Sequence, residues 1–147
     1  MYSQEKHNFE SISDLIVEYS PSIKSNIAIA LEANKGVDAR AFFDIVRLSG
    51  YSKDEMARVF STSVKTFSRY EKENKKLGPL RSELILKIMA LFKKGLEIFG
   101  GLESFKTWLS KTAFGLGNHT PFSLIHTSTG IDLVHDELVR IEFGDLA

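Results

Sequence analysis

Apolar residues recur every three or four positions in one segment after another, and glycine or proline stands at almost every break. A chain with that period buries one stripe of each helix and stops where the backbone can no longer continue it. No stretch alternates apolar with polar residues for long enough to make a strand, and neither an internal repeat nor a low-complexity tract is present. The fold class that follows is all-α. With 147 residues and 43% apolar content, the chain suits one domain or two small ones.

The breaks divide the chain. Ile12, Leu15, Ile16 and Tyr19 form a first stripe, and Ser20-Pro21 reads as the cap and first residue of a second helix reaching about Asn34. Gly36 ends that helix, and Asp38 is expected to cap a third, which carries Phe42, Phe43, Ile45, Val46 and Leu48 as far as Gly50. Of the pair Phe42-Phe43, one must point away from the inner stripe, where it is free for a dimer contact. Gly78-Pro79 opens the longest helix, with Leu80, Leu84, Ile88, Leu91 and Leu96 or Phe99 on one face. Gly100-Gly101 closes it. Leu102, Phe105, Trp108 and Leu109 follow, then the loop Phe114-Gly-Leu-Gly-Asn. Thr120-Pro121 restarts a short helix, Gly130 is expected to break it, and Val134, Leu138 and Ile141 mark the last one.

Lys plus Arg balance Asp plus Glu at nineteen each, so any contact with nucleic acid must be local. Between residues 38 and 76, nine basic residues face six acidic ones. From 112 to 147, Arg140 stands against Asp132, Asp136, Glu137, Glu142 and Asp145. The first region suits phosphate and the second a basic protein surface. The absence of cysteine removes disulfides, thiol nucleophiles and cysteine zinc sites. It fits a cytoplasmic address, as do a charged opening and the lack of an apolar run of membrane-spanning length.

Ser52-Lys-Asp-Glu is a capping box, and the twenty residues from Ser52 to Glu71 have the spacing of a helix-turn-helix. Small Ala57 lets two helices cross, Met56, Phe60, Val64 and Phe67 bury the crossing, and the second helix presents a polar face. Ser63, Lys65, Thr66, Ser68, Arg69 and Lys72 are the candidate DNA contacts, with Lys65 and Arg69 suited to guanine edges or phosphates. Spacing alone fits a basic, solvated helix of a bundle equally well. Ser61 occupies the turn position where glycine is usual, a cost if the backbone there needs positive φ.

Lys65-Thr66-Phe67-Ser68-Arg69-Tyr70, Leu77 and the helix Ser82-Glu-Leu-Ile-Leu-Lys-Ile-Met-Ala-Leu resemble the Xre/MbcA/ParS antitoxins. So does the ordered series Phe99-Gly100, Trp108-Leu109, Leu116-Gly117, Thr120-Pro121-Phe122, Thr127 with Gly130, and Leu138-Val-Arg-Ile-Glu-Phe-Gly144. The resemblance covers roughly residues 38 to 147. Residues 1–37 lie outside it and read as an N-terminal helical extension, while the resemblance implies a helix-turn-helix domain over 38–78 and a helical toxin-binding domain over 79–147. It further implies an antitoxin of a type II toxin-antitoxin system whose partner is a RES-domain toxin that depletes NAD. With that toxin it would repress its own promoter, binding operator DNA as a homodimer within a hetero-oligomeric complex. Carried over from the family, the toxin contacts are Arg140, Glu142, Phe143, Gly144, Asp145, Leu146 and Ala147, the tail reaching toward the toxin's active-site cleft.

On chemistry alone Phe143 more simply closes the protein's own core, and the resemblance reverses that preference. The alternative function is a stand-alone regulator whose C-terminal domain dimerises or senses a ligand. Enzyme readings lack support: no Gly-x-Ser-x-Gly elbow and no dinucleotide fingerprint is present. His119, His126 and His135 are spaced too widely for paired helical metal ligands, and no cofactor is expected. Trp108 is expected in the core.

Overall fold

A computed structural model describes residues 12–144. Among these, nine α-helices and one short 3-10 turn account for the regular structure: α1 Ile12–Ile23, α2 Asn26–Lys35, α3 Arg40–Ser49, α4 Lys53–Val59, α5 Val64–Lys72, α6 Pro79–Phe99, α7 Leu102–Leu109, the turn Phe114–Leu116, α8 Pro121–Leu124 and α9 Ser128–Glu142. The all-α expectation holds. No described helix is long and apolar enough to cross a membrane.

α6 is the axis of the molecule. Proline at its first turn and left-handed Gly100 at its end delimit it as the sequence predicts. It packs against α1, α2, α3, α7 and α9. Its buried residues are Ser82, Ile85, Leu86, Ile88, Met89, Leu91, Phe92 and Gly95. Leu80, assigned to the inner face from its spacing, is 80% exposed, while Ser82 in the same turn is the residue that faces inward. Ser82 is polar yet fully buried, and its hydroxyl is used twice: it accepts from the Val37 N–H at 2.9 Å and donates to the Leu77 carbonyl at 3.2 Å. The connector before α3 is thereby tied to the start of α6.

Three expected boundaries differ. α1 continues through Ser20-Pro21 to Ile23, and it is Ser25 that caps α2, accepting from the Ala28 N–H at 3.1 Å. Proline removes a single backbone bond in the last turn of α1, two residues before the helix ends anyway, so continuity costs little. α3 begins at Arg40, and its N-cap residue Ala39 supplies no side-chain cap. Asp38 instead forms a backbone bridge with Lys76. Gly130 breaks nothing: it sits in the first turn of α9, where its N–H donates to the Thr127 hydroxyl cap at 3.1 Å. It is glycine because a Cβ there would lie 2.7 Å from the Leu124 carbonyl carbon and closer still to its oxygen.

The N-terminal helices are locked to α3 by a polar cluster. The Tyr19 hydroxyl donates to Asp44 at 2.5 Å, and Arg40 contacts Asp44 at 3.5 Å and Glu18 at 2.6 Å. Burial, then the Asp44 carboxylate, pushes the Tyr19 hydroxyl far above its ordinary pKa, so it stays a donor at every physiological pH. Farther along, Tyr51 stacks on Phe122 at 4.7 Å, while the Lys106 ammonium lies 4.4 Å from the Tyr51 ring and donates to the Gly50 carbonyl at 3.1 Å. These contacts join the loop ahead of α4 to α7 and α8. Trp108 lies half-buried against Phe99 and Phe105, as its sequence context suggests.

Candidate DNA-binding and partner-binding surfaces

The first surface is built on α4 and α5. Ser52 and Glu55 form the reciprocal cap: the Glu55 N–H donates to the Ser52 hydroxyl at 3.1 Å, and the Ser52 N–H donates to the Glu55 carboxylate at 3.1 Å. That backbone donor, helped by the Ser52 side chain, holds the Glu55 carboxyl below the ordinary carboxylate range. The cap therefore acts above that range and is lost as pH falls through the lowered value. Ala57 is buried at the crossing, and its carbonyl accepts from the Thr62 N–H at 3.1 Å across the turn.

Ser61 does adopt positive φ, at 54°. A serine there is strained where glycine would be relaxed. Ser61→Gly is expected to raise unfolding stability by up to about 1 kcal/mol, read as the urea midpoint, with DNA affinity unchanged. A lowered midpoint would mean the hydroxyl has a role that the geometry does not reveal.

α5 is held from beneath by aromatic packing. Phe67 is fully buried and stacks on Phe42 at 4.0 Å with an interplanar angle of 6°, and Phe60 meets both rings edge-on. Val64, expected at the buried crossing, is only partly covered because it begins the helix. Phe43 is the member of its pair that turns outward, with Lys53 5.8 Å from its ring.

The outer face of α5 carries Lys65, Arg69 and Lys72 at i, i+4 and i+7, all exposed. No carboxylate among the described residues lies within 4 Å of any of them. Arg69 lies over the Tyr70 ring at 5.4 Å. Ser63 caps α5, its hydroxyl accepting from the Thr66 N–H at 3.2 Å and pairing with the Thr66 hydroxyl at 3.1 Å. Ser63 and Thr66 thus shape the start of the helix, and Ser68 is half-buried. The three cations are the groups that the fold brings together and leaves without an acid.

The second surface lies at the end of α9. Phe143 is 74% exposed, so it does not close the core, and Gly144 beside it is exposed too. Two neighbours expected to contact the toxin are exposed and also pair within the chain. Glu142 pairs with Lys94 of α6 at 2.6 Å. Arg140 donates to Glu137, which is buried and would otherwise be an uncompensated charge. Asp145, Leu146 and Ala147 lie outside the described residues. Sequence reasoning missed Phe114, which is 91% exposed at the head of the 3-10 turn. Its one sequence signal is an aromatic opening a glycine-rich loop. The spacing of Glu137 and Arg140 at i, i+3 was a readable hint of their pairing.

Among the described residues, no three His, Asp or Glu side chains converge as metal ligands. His119 is exposed in its loop, and His126 packs edge-on against Phe122 at 6.3 Å.

Residues 28–90 match the model of the antitoxin Xre-like helix-turn-helix domain, and residues 94–144 match that of the antitoxin Xre/MbcA/ParS C-terminal toxin-binding domain. A protein named antitoxin Xre from Yersinia enterocolitica serotype O:8 / biotype 1B is 30% identical over 93 residues, spanning 63% of this chain and 63% of that relative's own length. The matches enclose both surfaces, α5 in the first and the Phe114–Phe143 region in the second.

Proposed function

We propose, from the premise that the chain belongs to the Xre/MbcA/ParS-type antitoxins, that it is a binding protein with two jobs: its C-terminal domain neutralises a toxin, and α5 docks operator DNA so that the pair represses its own promoter. The observation that carries the reading is the separation of two unsatisfied surfaces on one rigid fold. Three uncompensated cations face outward on α5, and two phenylalanines stand exposed on the region that matches a toxin-binding domain. The toxin is of the RES class, which consumes NAD, and the antitoxin works by covering the entrance to its active site. Phosphate contacts by Lys65, Arg69 and Lys72 supply affinity, with Ser68 at the edge of the groove-facing surface.

A single short helix rarely gives enough DNA affinity, so the operator is bound by a homodimer with two half-sites. Ile27 and Leu31, 69% and 57% exposed on the outer face of α2, support a second copy of the chain as the neighbour of that face.

The test is co-expression with the product of the adjacent gene, followed by co-purification and an NAD-consumption assay. The expected result is a stable complex with suppressed NAD turnover. A partner that stays separate and active in the presence of this chain overturns the proposal. The DNA half is tested by Lys65→Ala and Arg69→Ala. Each is expected to weaken operator binding and to reduce the slope of log affinity against log salt by about one, while toxin neutralisation persists. Unchanged affinity and slope would remove α5 from the DNA interface.

A further inference from the structure

We infer that Phe114 and Phe143 form an aromatic clamp that seats in an apolar pocket of the toxin, so that the partner-binding surface is a hydrogen-bonded loop together with a helix end and not the carboxyl tail alone. The inference rests on the reading of the C-terminal domain as toxin-binding.

Among the described residues, Phe114 and Phe143 are the two phenylalanines left exposed. The other described phenylalanines lie in or against the core. The two belong to one surface. The 3-10 turn packs on α9, and a Cβ on Gly115 would collide with the Glu137 carboxylate and come within 2.8 Å of the Arg140 guanidinium. Glycine at 115 therefore lets the loop sit directly on the ion pair. Phe114 precedes that contact, and Phe143 stands three residues beyond Arg140 on the helix.

Phe114 is also held still. Within its loop the Leu116 and Asn118 N–H groups both donate to the Ala113 carbonyl at 3.0 Å. The Gly117 N–H donates to the Phe114 carbonyl at 3.2 Å, the His119 N–H to the Leu116 carbonyl at 3.2 Å, and the Ala113 N–H to the His119 carbonyl at 3.1 Å. Leu116 is buried and anchors the loop. A loop backbone fixed in this way pays little ordering cost on docking, which favours the side chain that it presents as an interface anchor.

Charge decides the chemistry of the pocket. Arg140 is satisfied by Glu137, Glu142 by Lys94 and Asp132 by Lys87 at 2.6 Å. With these three groups paired inside the chain, the two exposed rings are the contacts left uncommitted, and the site that matches them is apolar. The toxin-binding-domain match over 94–144 encloses both phenylalanines, and that is the ground for choosing the toxin as the occupant of this patch.

The experiment measures the affinity of the full-length chain, Phe114→Ala and Phe143→Ala for the purified product of the adjacent gene, alongside thermal unfolding and sedimentation of each chain alone. Each substitution is expected to weaken binding by roughly 30-fold or more, with unfolding temperature and DNA affinity unchanged. Wild-type affinity in the Phe114 variant, with a tight wild-type complex, overturns the clamp and leaves the antitoxin reading intact. Failure of the unaltered chain to bind overturns both. A smaller sedimenting species in the Phe114 variant alone would make the patch a contact between copies of this chain and equally overturns the inference.

Discussion

Alanine at position 130 is expected to destabilise the protein by about 3 kcal/mol or more and to abolish recognition of its partner protein, although Gly→Ala within a helix ordinarily stabilises. Gly130 lies where α9 passes over the last residue of α8, and the added Cβ would meet the Leu124 carbonyl, a backbone group with no rotamer to change. Relief requires α9 to move away, and α9 carries Val134 and Leu138 into the core as well as the Glu137–Arg140 pair. A urea denaturation series checks it, with Gly78→Ala as the control. Nothing lies within 4 Å of a Cβ at Gly78, which precedes α6 in extended conformation, so that variant should stay within about 0.5 kcal/mol of the unaltered chain. Equal midpoints for the two variants would show that α8 and α9 do not approach as described.

Phe42→Ala is expected to cost about 3–5 kcal/mol and to eliminate DNA binding together with the cooperative transition. Its ring is fully buried, stacks face to face on Phe67, and meets Phe60 edge-on at 6.2 Å and Phe43 at 5.0 Å. Phe67 and Phe60 belong to α5 and to the turn before it, so the hole opens beneath the helix that faces DNA. Phe42→Leu, which leaves part of the volume filled, should lose less and keep measurable affinity. A loss below about 1 kcal/mol for the alanine variant would mean that the site collapses freely, at odds with three rings meeting there.

What the sequence discloses is mostly local. The Ser52–Glu55 box, the cap at Thr120, and the glycine stops at 36, 50 and 100 are each decided by residues a few positions apart, and each stands where spacing places it. The strain at Ser61 was readable because a tight turn between two helices demands a particular backbone, whatever surrounds it. The failures share the opposite cause. Gly130 reads as a breaker until the Leu124 carbonyl is beside it, and Pro21 reads as a start until the end of α1 is known. Glu142 and Arg140 look available in a linear tally because Lys94 lies 48 positions away and the burial of Glu137 is a tertiary fact. Phe114 is invisible for the same reason, since exposure belongs to the assembled fold.

α6 runs through one core that both ends of the protein share, its buried residues covered by α1, α2, α3, α7 and α9. Neither half of the protein has a flexible tether to the other. A protease that gains entry at one end must loosen the rod that the opposite end relies upon, so promoter occupancy and toxin restraint should decay with a single half-life. A cell that degrades this chain would receive both signals together.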